Sequence, residues 1–149
     1  YYIFMKRSCE NCTKCCEGYL SGEAHGHTFD KGRPCFFLSI GKGCSIYEDR
    51  PKDPCAGYKC LWISSPDILP EWMKPSEINN IIDVREIQGH MYISAVEAGS
   101  IISSKVLSWL ISYVVTTNQN FVWECENGKY RIGSPEFVEV FDRHLSRTE

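Results

Sequence analysis

Ile81-Ile82-Asp83-Val84-Arg85-Glu86-Ile87-Gln88-Gly89-His90-Met91-Tyr92-Ile93-Ser94-Ala95-Val96 is a pair of β-branched-rich runs meeting at Gln-Gly-His. Two such runs broken once by a glycine-bearing turn predict a β-hairpin. Downstream, Val106, Trp109, Leu110, Tyr113 and Val114 recur at the i, i+3, i+4, i+7, i+8 spacing of one helix face. Ser103 or Ser104 is the expected cap. Leu107, Ile111 and Val115 widen the stripe, so this helix is expected to be largely buried. Phe121 to Cys125 and Tyr130 to Ile132 flank Glu126-Asn127-Gly128-Lys129. Asn-Gly is the strongest short hairpin signal, because both central residues of the tight turn take positive φ. Ser134-Pro135 then starts a last helix with Phe137 or Val138, Phe141 and Leu145 on one face. The order is ββαββα, an α+β unit with a small antiparallel sheet, assigned to residues 63–149.

Upstream the character of the chain changes. Eight of the nine cysteines lie in the 52 residues from Cys9 to Cys60, and only Cys125 lies beyond. Residues 1–62 show no sustained helical or strand period. They read as loops, with turn signals at Gly22, Gly26, Gly32-Arg33-Pro34, Gly41-Lys42-Gly43, Arg50-Pro51 and Asp53-Pro54. Such a segment needs a cross-link to become compact. Trp62 to Ile78, with Pro66, Pro70 and Pro75, is expected to be an extended connection lying across the second half. The expected organisation is a loop-rich cysteine module over 1–62 packed with the α+β unit as one compact domain.

Composition narrows the function. The 149 residues are 43% hydrophobic and 13% aromatic, enough for a real core. A net charge of -3 and a pI near 5.8 argue against a nucleic-acid footprint, which shows as a basic stripe. The charge is uneven: residues 1–62 hold nine Lys+Arg and seven Asp+Glu, and residues 63–149 hold seven and twelve. No apolar run reaches the roughly 18 residues of a membrane span. The opening Tyr1-Tyr2-Ile3-Phe4-Met5-Lys6-Arg7 is too short for a secretory h-region and carries its basic pair on the wrong side. A reducing cytoplasm is therefore expected, with no membrane and no nucleic-acid partner. Because the first residue is not Met, either something precedes Tyr1 or Met5 is the original start. A protein partner and the oligomeric state are left open.

The cysteines carry the chemistry. Cys9, Cys12 and Cys15 follow one another at intervals of three, and Cys16 comes directly after. A Cys-x2-Cys loop lets two sulfurs converge on one metal while amides in the tight turn point at the thiolates. Cys35 and Cys44 are separated by eight residues, and Cys55 and Cys60 by four. The rival reading is a disulfide framework, but no export signal accompanies it and adjacent Cys15 and Cys16 pair poorly with each other. Three cysteines at this spacing suit the corners of a cubane [4Fe–4S] cluster, with a distant cysteine taking the fourth iron. Zinc instead requires the eight thiolates to divide into two tetrahedral sets, with Cys15 and Cys16 serving different ions. The spacing tilts slightly toward the cluster and leaves both open.

The other polar residues read as structural. His25 and His27 suit a solvated loop better than a ligand role, His90 a hairpin turn, and His144 a helix C-terminus. Cys125 alternates with Phe121 and Trp123 on one strand and reads as a small core residue. Arg50 reads as part of the turn that presents Cys55, with anion contact a lesser reading. No histidine stands near a nucleophile in a recognisable catalytic setting. Enzymatic activity of the chain itself ranks third, behind a redox, carrier or regulatory metalloprotein and a metal-stapled interaction module.

Cys-x2-Cys-x2-Cys-Cys, Pro34-Cys35-Phe36-Phe37-Leu38, Gly43-Cys44-Ser45-Ile46-Tyr47-Glu48-Asp49-Arg50-Pro51 and Cys55 followed by Cys60 together resemble the CxxCxxCC family, described as zinc- or iron-chelating proteins. The resemblance covers about residues 9–62. It implies that Cys9, Cys12, Cys15, Cys16, Cys35, Cys44, Cys55 and Cys60 are the ligands. Many members carry a longer helical insertion where only 18 residues separate Cys16 from Cys35 here, so the chain resembles a short variant. Some proteins with this motif resemble flagellin lysine methylases, for which an iron–sulfur cluster is implied. No glycine-rich loop after a strand accompanies it, so methylation is not carried over.

Overall fold

A computed structural model describes residues 7, 9, 12–19, 21–30, 33–39, 43–52, 55 and 58–148. The turn positions expected at Gly32, Gly41, Lys42, Asp53 and Pro54, and the opening residues 1–6, lie outside them. The chain is α+β and divides into two compact units, Tyr1–Asn79 and Asn80–Glu149. The division falls well after the composition boundary at residue 62.

The first unit is built from very short pieces. Strands β1 (Gly22–Ala24) and β2 (His27–Phe29) form an antiparallel hairpin, closed by His25 and Gly26, which both take positive φ. Strands β3 (Leu38–Ser39) and β4 (Gly43–Cys44) form a second, with Leu38 opposite Cys44. Single 3-10 turns stand at Lys14–Cys16, Tyr47–Asp49 and Glu71–Met73. One-turn helices α1 (Leu61–Ser64) and α2 (Pro75–Ile78) complete the unit. The Trp62 to Ile78 segment is thus a series of helical turns belonging to the first unit, not an extended connection. Pro75 enters α2 at its first turn, where its missing N–H is not required, and Asn79 ends it in the left-handed region.

Ala24, Phe29 and Cys35 form one cluster, with half-buried Cys16, Phe37, Leu38 and Cys55 against it. Cys60, Leu61, Trp62, Leu69 and Met73 are also buried. Trp62 donates its indole N–H to the Glu71 carbonyl at 3.1 Å, with the Arg7 guanidinium 4.6 Å and the Lys74 ammonium 5.5 Å from its ring.

The second unit follows the expected ββαββα order: β5 (Asn80–Ile87), β6 (His90–Glu97), α3 (Ser104–Thr116), β7 (Asn120–Cys125), β8 (Gly128–Ile132) and α4 (Pro135–Thr148). The β5–β6 turn is Gln88-Gly89, both at positive φ, which matches the twist of the strands it joins. His90 is therefore the first residue of β6. The four strands lie in order β5-β6-β7-β8, but β6 and β7 pair parallel, so the sheet is mixed. Helix α3 carries the chain back to the start of β7, the connection a parallel pair needs. In the β7–β8 hairpin, Cys125 pairs with Gly128, so Glu126-Asn127 is the loop and only Gly128 has positive φ. Asn127-Gly128 is not the central pair of the turn.

Both long helices are capped as the sequence indicates. Ser103 Oγ accepts from Val106 N and Ser134 Oγ from Phe137 N, each at 3.2 Å. Helix α3 buries Val106, Leu110 and Val114, while Val115 is 65% exposed, so its buried stripe is narrower than the apolar positions imply. Helix α4 packs Phe137, Phe141, Val138 and Leu145 against Val122, Ile87 and Tyr92. Arg131 of β8 meets Asp142 of α4 with two bonds of 2.7 and 2.8 Å. No helix among the described residues is long and apolar enough to cross a membrane.

Candidate metal centre

All eight cysteines of the Cys9 to Cys60 region belong to the first unit, and none is disulfide-bonded. The first group is shaped by backbone turns. Cys12 N donates to Cys9 O at 2.7 Å across the Cys-x2-Cys step, and Cys16 N donates to Thr13 O at 2.9 Å. The Lys14–Cys16 turn that follows is pinned at its end by Thr13 Oγ1, which donates to Glu17 at 2.7 Å. This turn brings the Cys15 and Cys16 sulfurs to 3.9 Å.

The later cysteines return to this turn by two routes. Cys35 N donates to Cys16 O at 2.8 Å, and Leu38 N donates to Cys35 O at 3.0 Å, which starts the β3–β4 hairpin bearing Cys44. Cys55 packs with Cys16 against the Ala24, Phe29 and Cys35 cluster. Cys60 stands at the N-terminus of α1, its carbonyl accepting from Ile63 and Ser64. Arg7 Nη1 donates to the Trp62 carbonyl at 2.8 Å and so ties the chain just before Cys9 to the turn just after Cys60.

Electrostatics follow the same proximity. The Cys15–Cys16 hydrogen bond raises the Cys15 thiol, with burial adding to the rise, and lowers Cys16 to about 7. Burial pushes Cys9 up, with Cys12 as the next cause. Burial also raises Cys60, against the pull of the Ile63 and Trp62 amides, and Cys9 and Cys12 add to it. Cys35 is raised by burial, then by Cys16 and Cys44, against backbone amides of Phe37 and Leu38. Cys55 is raised by burial, then by Cys16, Cys35 and Cys44.

Two basic residues temper this cost. Arg50 lowers Cys9, Cys16 and Cys55, and Lys74 lowers Cys9. Arg50 was legible only as a turn residue with a lesser anion role. Lys74 gave no signal, because nothing in its local sequence places it near Cys9. The Arg50 guanidinium lies 4.0 Å over the Tyr47 ring, which fixes its direction.

The histidines of this unit are engaged elsewhere. His27 stacks on Phe36 at 4.0 Å, and both His25 and His27 meet Phe37 edge-on. The Asp49 carbonyl can only accept, so His25 Nε2 donates to it, at 3.0 Å. Cys125 lies in the second unit, half-buried, with its sulfur 3.4 Å from the Gly128 carbonyl.

Eight free thiols, two buried and six half-buried, are of the chemical type that zinc or an iron–sulfur cluster takes as ligands. Among the described residues, no three His, Cys, Asp or Glu side chains converge closely enough to hold an ion as they stand. Metal binding would require the sulfurs to draw inward on their short turns. Comparison of the chain with protein-family models, with curated proteins and with solved structures finds no match.

Proposed function

We propose that this chain is a small metalloprotein whose first unit is held together by an iron–sulfur cluster or zinc on Cys9, Cys12, Cys15, Cys16, Cys35, Cys44, Cys55 and Cys60, in a reducing compartment, with a redox, carrier or regulatory role. The observation that carries the reading is the meeting of eight free thiols with elements that cannot stand alone: strands of two and three residues and helices of one turn. A structural zinc contributes on the order of 10 kcal/mol to folding, which is the kind of term such a segment lacks. The resemblance of residues 9–62 to the CxxCxxCC family supports the same ligand set. An iron–sulfur centre would supply electron transfer, and zinc would supply cross-linking. The chain's own residues hold the sulfurs and place Arg50 and Lys74 where they offset thiolate charge.

A second reading has its own observation. Phe36, directly after Cys35, is 68% exposed and stacked on His27. A metal that only staples the loops would present this aromatic pair to a protein partner. Anaerobic purification with metal and acid-labile sulfide analysis separates the two. Iron with sulfide, and broad absorption near ~400 nm, supports the redox reading. Zinc without sulfide, even after growth with ample iron, supports the stapled module. Protein that is folded, reduced and free of both overturns the proposal.

A further inference from the structure

Beyond the metal-binding reading, we propose that Cys15 and Cys16 form a two-sulfur capture site for monosubstituted trivalent arsenicals, R–As(OH)2. Their sulfurs stand 3.9 Å apart on the Lys14–Cys16 turn. That turn is held at several points. Cys16 N donates to Thr13 O at 2.9 Å, Glu17 N to Lys14 O at 3.3 Å, and Cys35 N to Cys16 O at 2.8 Å. Thr13 Oγ1 and Lys14 Nζ both reach the Glu17 carboxylate, at 2.7 and 3.7 Å. Both thiols are free and half-buried, within reach of a small solute. The spacing suits one bridging atom better than a bond between the sulfurs. Neighbouring Cα atoms stand about 3.8 Å apart, inside the ~4.4 Å at which disulfides usually begin. The 3.9 Å gap is also nearly twice a sulfur–sulfur bond of about 2.05 Å.

Trivalent arsenic is a soft centre that prefers thiolate sulfur to oxygen. In R–As(OH)2 the carbon substituent stays and the two hydroxyls exchange. Each exchange breaks one As–O bond and forms one As–S bond, and the thiol proton leaves with hydroxide as water. Two thiols therefore give R–As(S)2 and two waters, with arsenic trivalent throughout and no oxidant consumed. Once either sulfur has bonded, the second bond closes intramolecularly at high effective concentration. Inorganic arsenite carries three exchangeable oxygens and is satisfied by three sulfurs, and among the described residues no three such side chains converge. The pair thus selects the organic form. Its surroundings favour the same choice: Cys16 packs against the Ala24, Phe29 and Cys35 cluster, as do Phe37 and Leu38, so the carbon substituent of a bound arsenical lies beside apolar side chains.

The test uses the full chain, reduced and purified anaerobically, with one equivalent of phenylarsine oxide as the probe and peptide mass spectrometry as the readout. Trypsin cuts after Lys14 and Lys31, so Cys15 and Cys16 leave in peptide 15–31 with no other cysteine, while Cys9 and Cys12 leave in peptide 8–14. The phenylarsenic bridge should sit on peptide 15–31, with both thiol hydrogens lost. A bridge on peptide 8–14, or one joining separate peptides, overturns the assignment. Cys15→Ser and Cys16→Ser should each lower retention on this peptide on the order of 100-fold, because the intramolecular second bond is gone. Unchanged retention in either variant overturns it. Arsenite should compete at least about tenfold more weakly than phenylarsine oxide, having no third sulfur to close on; equal competition overturns the two-sulfur site. The titration is repeated after chelation of any bound metal. Capture before chelation upholds the site, and capture only afterwards upholds it while making Cys15 or Cys16 a metal ligand. No bridge on peptide 15–31 in either titration overturns the proposal and leaves the metal-binding reading intact.

Discussion

Gly133 shows how a single missing atom fixes a junction. A Cβ built there would run into the Asn120 side-chain oxygen and stand 2.8 Å from Phe137 Cδ1. Neither neighbour is free to yield: Asn120 Oδ1 accepts from Ser134 N at 2.9 Å, its Nδ2 donates to Met91 O at 3.0 Å, and Phe137 is fully buried. Gly133→Ala is expected to cost about 1–3 kcal/mol, the usual range for overpacking, read as a lower urea midpoint of the second unit. Cys125 is a milder case. Its neighbours on the strand are Phe121 and Trp123, stacked at 5.5 Å, and none of the eight other cysteines lies in its own unit. Cys125→Ser should leave metal stoichiometry unchanged and lose about 1 kcal/mol or less, because the hydroxyl keeps a carbonyl partner at Gly128. Loss of bound metal in this variant would place Cys125 among the ligands after all.

At the scale of elements, the Arg131–Asp142 pair joins β8 to α4 in the open. Its hydrogen bond to Arg131 holds the Asp142 carboxyl below the ordinary range. A depressed folded value means that the contribution is present above the unfolded carboxylate value near ~4 and is lost as pH falls through the folded one. Asp142→Asn should flatten that acid limb of the stability curve and leave stability at pH 7 little changed, since exposed pairs are well screened. A pH profile identical to that of the parent chain would show the pair to be inert. The second unit's elements were legible because their periods are long enough to read and their caps, Ser103 and Ser134, are local. The direction of the β6–β7 pairing was not, because hydrophobic alternation is the same in parallel and antiparallel neighbours. Nor were β1 to β4, whose two or three residues show no period. In the candidate site the cysteines themselves were plain, but the ties between their turns, Arg7 to Trp62 and Cys35 to Cys16, are contacts that spacing does not encode.

Across the whole molecule the two units differ in what holds them. The second has a four-stranded sheet and a buried aromatic cluster under α4. The first has small buried groups and thiols. On the proposed metal-binding reading, removing metal under reducing conditions should abolish hydrogen-exchange protection around Cys35 and Cys55 while β5 to β8 keep theirs. Native protection around Cys35 in metal-free, reduced protein would contradict this expectation.

Trp62 gives the first unit an optical gauge of its own. Its indole is buried two residues from Cys60, with Arg7 and Lys74 over the ring and the Glu71 carbonyl on its N–H. Emission from an indole depends on the charges and carbonyls around it, and these partners lie next to Cys60, so a Cys60 drawn toward a bound metal would disturb them. On the proposed reading, metal uptake should therefore change the intrinsic fluorescence, and Trp62→Phe should remove most of that change, leaving Trp72 in the same unit and Trp109 and Trp123 in the second. Any metal uptake by the first unit can then be followed without an added label.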